Sequence, residues 1–126
     1  MATLKQRVFI SYVHEDRAYA ESLKTIMEEH GFETWFDMKD LDLSGNLHIQ
    51  IEDAIRKSNI FIFISSKRII NSQWVEFEKM IAESSLKKEN IYKVDLHNKL
   101  VSVDNNHSKS DDNCFNILSY FISEVI

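Results

Sequence analysis

The sequence predicts an α/β domain built on an open parallel sheet flanked by helices, and three observations carry that expectation. Short apolar runs alternate with amphipathic helical patterns in the order β-α-β-α-β-α, which implies parallel strands joined by right-handed crossovers. The most apolar run, Ile60-Phe61-Ile62-Phe63-Ile64, has no polar alternation, as a strand covered on both faces requires. The chain has 126 residues, enough for one hydrophobic core and too few for two, so one domain over residues 1–126 is expected.

The elements follow in order. Val8 to Ile10, ending in Ser11-Tyr12, reads as a first strand with two apolar faces. From Asp16 to His30, the residues Ala20, Leu23, Ile26, Met27 and His30 recur at helical spacing. Gly31 stands where a left-handed helix cap belongs. Phe32 to Phe36 reads as a second strand closed by Asp37, and Met38 to Gly45 as a polar loop in which Ser44 is a candidate helix N-cap. Leu47, Ile51, Ala54 and Ile55 mark a second amphipathic helix ending near Lys57. Ile60 to Ile64 is the third strand, ended by Ser65-Ser66, and a third helix runs from Ser72 to about Leu86.

Beyond residue 86 the pattern changes. Ile91 to Leu96 and Leu100 to Val103 both read as strands, with about three residues between them. A parallel crossover needs roughly a dozen. Either one of the two is not a strand or they pair as a hairpin. Val103 to Asn113 reads as a polar loop, and Phe115, Leu118, Ser119, Ile122 and Val125 as the stripe of a last helix.

Composition excludes several functions. The net charge of −5 and the lack of any basic cluster longer than Lys87-Lys88 argue against nucleic acid as a partner. With only Gly31 and Gly45, neither glycine-rich phosphate loop can be written. The five histidines show no zinc-ligand spacing, so no metal site is expected. No apolar stretch approaches the ~20 residues of a membrane helix, and Met1 to Arg7 lacks an apolar signal core. Cys114 is the only cysteine, which rules out an intrachain disulfide and agrees with a reducing cytoplasm; its commonest role is a small core residue.

In an open parallel sheet, ligands bind beyond the carboxyl ends of the strands. That edge gathers Ser11, Tyr12, His14, Glu15 and Asp16, then Asp37 and its loop, then Ser65, Ser66 and Trp74. The third helix holds an anomaly. At about 100° per residue, Trp74, Phe77, Ile81 and Ala82 form its apolar stripe, with Glu76, Lys79 and Glu83 opposite. Glu78 falls inside the stripe. An acid facing the body of a protein is costly unless it is paired or functional, and partial burial raises its pKa. The structural alternative is a glutamate bridged to Lys or Arg at the helix margin. Trp35 reads as core, Asp37 as a turn residue and Ser65-Ser66 as a turn without a nucleophile elbow. Whether Tyr12 packs or stacks on a ligand stays open.

Taken together, these segments resemble TIR (Toll/interleukin-1 receptor) domains. Val8-Phe9-Ile10-Ser11-Tyr12, with His14, Glu15 and Asp16, is similar to the family's first box. Gly31 to Asp37 and the loop to Gly45 resemble its second strand and BB loop. Ile51 to Ser58 and Ile60 to Ser65 resemble its second helix and third strand, and Ser72-Gln73-Trp74-Val75-Glu76-Phe77-Glu78 its Ser-x-Trp-x-x-x-Glu segment. The resemblance implies a flavodoxin-like three-layer fold with a central parallel sheet of four or five strands. It also implies one of two functions. One is cleavage of the nicotinamide–ribose bond of NAD+ to ADP-ribose or a cyclic isomer, by an assembly-activated effector of bacterial antiviral immunity in the cytoplasm. The other is a non-enzymatic signalling scaffold. A third reading is a deoxyribosyltransferase-like domain acting on another nucleotide.

In the enzymatic reading NAD+ is substrate and no separate cofactor is implied. Glu78 would be the catalytic residue, with Ser11, Tyr12, Trp35, Asp37, Ser65 and Trp74 binding substrate. The loop containing Asp40, Leu41, Ser44 and Gly45 would gate the site and mediate self-association. Two departures stand out. Val75 occupies a position where the family often has Cys, and the region after Leu86 matches poorly, with Ile91-Tyr92-Lys93-Val94 in place of Ile-Pro-Val and no final Phe-Trp box. The fourth and fifth strands are therefore expected to be rearranged or partly missing.

Overall fold

A computed structural model describes residues 6–35, 46–66, 73–103 and 113–126; for His14, Leu47, Gln73 and Trp74 the description covers the backbone. Five strands form one sheet: β1 (Arg7–Ser11), β2 (Glu33–Trp35), β3 (Ile60–Ser65), β4 (Ile91–Asp95) and β5 (Leu100–Val103). The helices are α1 (Arg17–Glu29), α2 (Leu47–Arg56), α3 (Gln73–Ser85) and α4 (Asn113–Val125). The spatial order is β2-β1-β3-β4-β5. The first four strands are mutually parallel, as the crossover order requires.

Alternate residues of β1 and β3 enter different layers. Val8 and Ile10, with Ile60, Ile62 and Ile64, pack under α1 and α4. Phe9, Phe61 and Phe63 pack under α2 and α3. This is the three-layer α/β arrangement, and it explains why Ile60 to Ile64 shows no polar alternation.

The last two strands settle the hairpin question. β5 pairs antiparallel with β4, with Tyr92 opposite Val103 and Asp95 opposite Leu100. Asp95 closes the connecting turn: its Oδ1 accepts from the amides of His97 and Asn98, each at 3.0 Å, and its Oδ2 from the Asn98 side chain at 2.9 Å. Leu96, expected in the strand, already belongs to this turn, and its amide donates to the Ser65 carbonyl at 2.8 Å.

Helix ends follow local chemistry. Gly31 has φ +89°, and the amides of Gly31 and Phe32 donate to the carbonyls of Glu28 and Met27, closing α1 in a Schellman motif. Phe32 is thereby delivered to the core. His30, expected on the buried stripe of α1, is exposed, its ring Nδ1 bonded to the Ile26 carbonyl. The N-cap of α2 is Asn46, not Ser44: Asn46 immediately precedes the first helical residue, and its Oδ1 accepts from the Ile49 amide at 3.2 Å. Ser44 itself, like Phe36, lies outside the described residues.

The buried stripe of α4 is Cys114, Ile117, Leu118, Phe121 and Ile122. Val125, expected within it, is exposed, and Phe115 is only half-buried. This helix is apolar over a wide arc, so its packing on α1, β4 and β5 chooses the inward face. Cys114 is buried, as a core residue would be.

Candidate active site

The strand order reverses direction between β1 and β3. β1 feeds α1 on one face of the sheet, and β3 feeds α3 on the other. In such sheets the crevice for a ligand opens at this point, beyond the carboxyl ends of the strands. Ser11 ends β1 there, in register with Phe63 of β3. Its parity with Phe9 directs its side chain toward the α2/α3 layer.

Glu78 meets it from α3. Among the described residues of this helix, the inward ones are Val75, Glu78, Ile81 and Ala82, spaced i, i+3, i+6 and i+7. Glu78 therefore lies near the middle of the buried face, and Phe77 at its half-buried margin. Only 5% of Glu78 is exposed. Ser11, 1% exposed, donates from Oγ to Glu78 Oε1 at 2.8 Å.

The electrostatics follow from that environment. Burial pushes the Glu78 carboxyl up to about 8 from an ordinary 4.5, and the Ser11 hydrogen bond only partly opposes the rise. The alternative of a margin glutamate bridged to Lys or Arg does not match the described surroundings of Glu78, which lies on the buried face and is hydrogen-bonded to Ser11. A buried carboxyl whose described partner is a neutral hydroxyl favours its protonated form.

The other candidate residues separate into groups. Ser65 ends β3 at the same edge, half-buried, and lies opposite Asp95 in register. The Trp74 backbone lies in the first turn of α3, one turn before Glu78. Tyr12 points the other way and packs against the α1/α4 core. Trp35 stacks on Phe9 at 5.3 Å between ring centroids, which fits the core role. It also walls a cavity of about 400 Å³ with Arg7, Glu33, Gln50, Asp53 and Lys57. Arg7 opens β1, and Lys57 precedes β3, so this cavity lies at the opposite end of the strands from Ser11. Glu78 lines neither it nor a second cavity of about 280 Å³ beside Phe63, Lys79 and Lys93. Asp37, Asp40, Leu41, Ser44 and Gly45 lie outside the described residues.

Two polar residues at this edge were visible in the sequence without standing out. Asp16 is fully buried. Its Oδ2 accepts from Ser66 Oγ at 2.5 Å. The signal was their place after β1 and β3; the pairing across fifty positions of sequence was not readable.

The family model of the TIR domain matches residues 8–113. The chain belongs to the TIR domain family. Among curated relatives, it is 32% identical over 78 residues to the NAD(+) hydrolase TcpA of Theionarchaea archaeon (strain DG-70-1), covering 61% of this chain and 24% of that protein. It is 30% identical over 71 residues to the 2′ cyclic ADP-D-ribose synthase BtTIR of Bacteroides thetaiotaomicron, covering 56% of this chain and 25% of that one. This TIR chain thus spans about a quarter of the length of these relatives. Among solved structures, the metazoan TIR-STING receptor from C. gigas superposes with a TM-score of 0.64 at 21% identity, over 92% of this chain and 38% of that one, a likeness of fold. Among the described residues no helix is long and apolar enough to cross a membrane.

Proposed function

We propose that this TIR domain cleaves the nicotinamide–ribose bond of NAD+, with Glu78 as the catalytic residue. The observation that carries the reading is the buried Glu78 carboxyl, hydrogen-bonded to Ser11 at the point where the strand order reverses. Relatives named as an NAD(+) hydrolase and a 2′ cyclic ADP-D-ribose synthase support it.

The chemistry fits such a group. In the scissile step the bond between ribose C1′ and the pyridinium nitrogen breaks, and its electron pair neutralises the departing nicotinamide. Positive charge then develops on the ribose as an oxocarbenium ion. A carboxylate held in a dry site stabilises that charge far more than water would. Capture by water gives ADP-ribose and a proton; capture by one of the molecule's own hydroxyls gives a cyclic isomer and likewise a proton. The cationic pyridinium also favours the ionised carboxyl, so substrate binding promotes the form the reaction needs. Ser11 orients Glu78. Ser65 and Trp74 are proposed to help bind the substrate, and the segment from Asp37 to Gly45 is proposed as gate and self-association loop.

Nicotinamide release by the wild-type chain and by Glu78→Gln tests this. The variant keeps the volume and loses the charge; it is expected to remain folded and to release no nicotinamide. Full activity in Glu78→Gln would remove the catalytic assignment, whereas an inert but self-associating wild type would favour the scaffold reading.

A further inference from the structure

Two acids are buried among the described residues, Glu78 and Asp16, and the chemistry above uses only the first. Asp16 stands at the N-cap of α1, where an aspartate ordinarily accepts from the first free amides of the helix. It makes no such side-chain bond. Its own amide donates to the Val13 carbonyl at 2.9 Å. Its carboxyl group reaches instead to Ser66, the residue after β3, and takes the 2.5 Å hydrogen bond described above.

That bond joins the two loops that diverge where the strand order reverses. On one side is the turn after β1, whose last residue is Ser11, the partner of Glu78. On the other is the start of the connection from β3 to α3, the helix that carries Glu78. The neighbouring Ser65 carbonyl is held as well, by the Leu96 amide from the β4 end. A helix cap would have served α1; the geometry serves the crevice.

We propose that Asp16 is a positioning residue, which through Ser66 ties the N-terminus of α1 to the segment leaving β3 and so sets where Glu78 meets its substrate. The inference rests on the NAD+-cleaving reading for its kinetic consequence, though not for its structural one. A shift of about 1 Å at a reacting centre costs up to about a hundredfold in rate, without a matching loss of fold.

The test compares the full wild-type chain with Ser66→Ala, Ser66→Thr and Asp16→Asn. Thermal melting, kcat and KM for NAD+, and the titration of the Glu78 carboxyl by NMR are measured on each. Ser66→Ala and Asp16→Asn are expected to stay folded, with kcat lower by about tenfold or more and KM within about twofold. Ser66→Thr, which keeps the hydroxyl, should restore most of the rate. In the two deficient variants Glu78 should titrate closer to the ordinary carboxyl range, because a loosened crevice admits water. Wild-type kcat and unchanged Glu78 titration in both would overturn the proposal. So would a rate loss that tracks unfolding and is not rescued by threonine. If the wild type releases no nicotinamide, the enzymatic reading fails by itself, and the titration arm still decides: a shift supports the positioning role and no shift overturns it.

Discussion

Replacing Glu78 with Gln should stabilise the folded chain increasingly as pH rises above about 4.5, and leave it unchanged below that. In the fold the Glu78 carboxyl holds its proton to about pH 8, whereas unfolded it releases the proton near 4.5. Below 4.5 both states carry the proton, and the group adds no pH dependence. Between 4.5 and about 8 the unfolded chain ionises while the folded one stays neutral, so stability falls as pH rises. Each tenfold drop in proton activity costs about 1.4 kcal/mol. Over that window the loss reaches about 5 kcal/mol, a ceiling because local opening that hydrates the carboxylate lessens it. Against a typical domain stability of roughly 5–15 kcal/mol this is a large fraction. The assay is urea unfolding of wild type and Glu78→Gln at intervals from pH 4.5 to 9. Their difference should grow with a slope near 1.4 kcal/mol per pH unit and level off above about pH 8, all other titrating groups cancelling. A constant difference across the range would refute the burial argument. The same group sets activity in the opposite sense: the ionised carboxyl stabilises the transition state, so kcat/KM should rise with pH toward a plateau above about 8 while the fold weakens.

Three other outcomes follow from the same geometry. Ser11→Ala removes the hydrogen bond that favours the charged carboxyl, so Glu78 should titrate higher than in wild type and nicotinamide release at pH 7 should fall; an unchanged or lower titration would count against the pairing. Gly31→Ala places a Cβ with no heavy atom within 4 Å, so only the backbone strain at φ +89° opposes it. It should cost about 1 kcal/mol in urea unfolding, and an unaltered midpoint would show that the Schellman turn is not essential. If self-association assembles the active form, nicotinamide release should climb more steeply than linearly with protein concentration, and strict proportionality would argue for an active monomer.

Most of the architecture was legible before the structure because it rests on local chemistry. The β-α-β-α-β-α order, the two-faced third strand and the glycine cap of α1 each reflect a physical rule acting over a few residues. The inward angle of Glu78 was legible for the same reason, since helical periodicity is local. Where several local solutions existed, the sequence left the choice open. The local pattern pointed to Ser44 as the cap of α2, and Asn46 takes that role because it abuts the first turn. The α4 helix is apolar on most sides, and only its neighbours select Cys114, Ile117, Leu118, Phe121 and Ile122 for burial.

What the sequence by itself determined is the class of the fold and the inward turn of Glu78 on α3. Tertiary structure decided what that acid touches. Ser11 is 67 positions from Glu78 and Ser66 is 50 from Asp16. No periodicity links such residues; they meet because β1 and β3 lie side by side in the sheet. The direction of β5 was settled in the same way, by pairing with β4 across a turn too short for any crossover. Hydrogen bonds between distant segments form only once the sheet has placed their strands, so they leave no trace in local pattern.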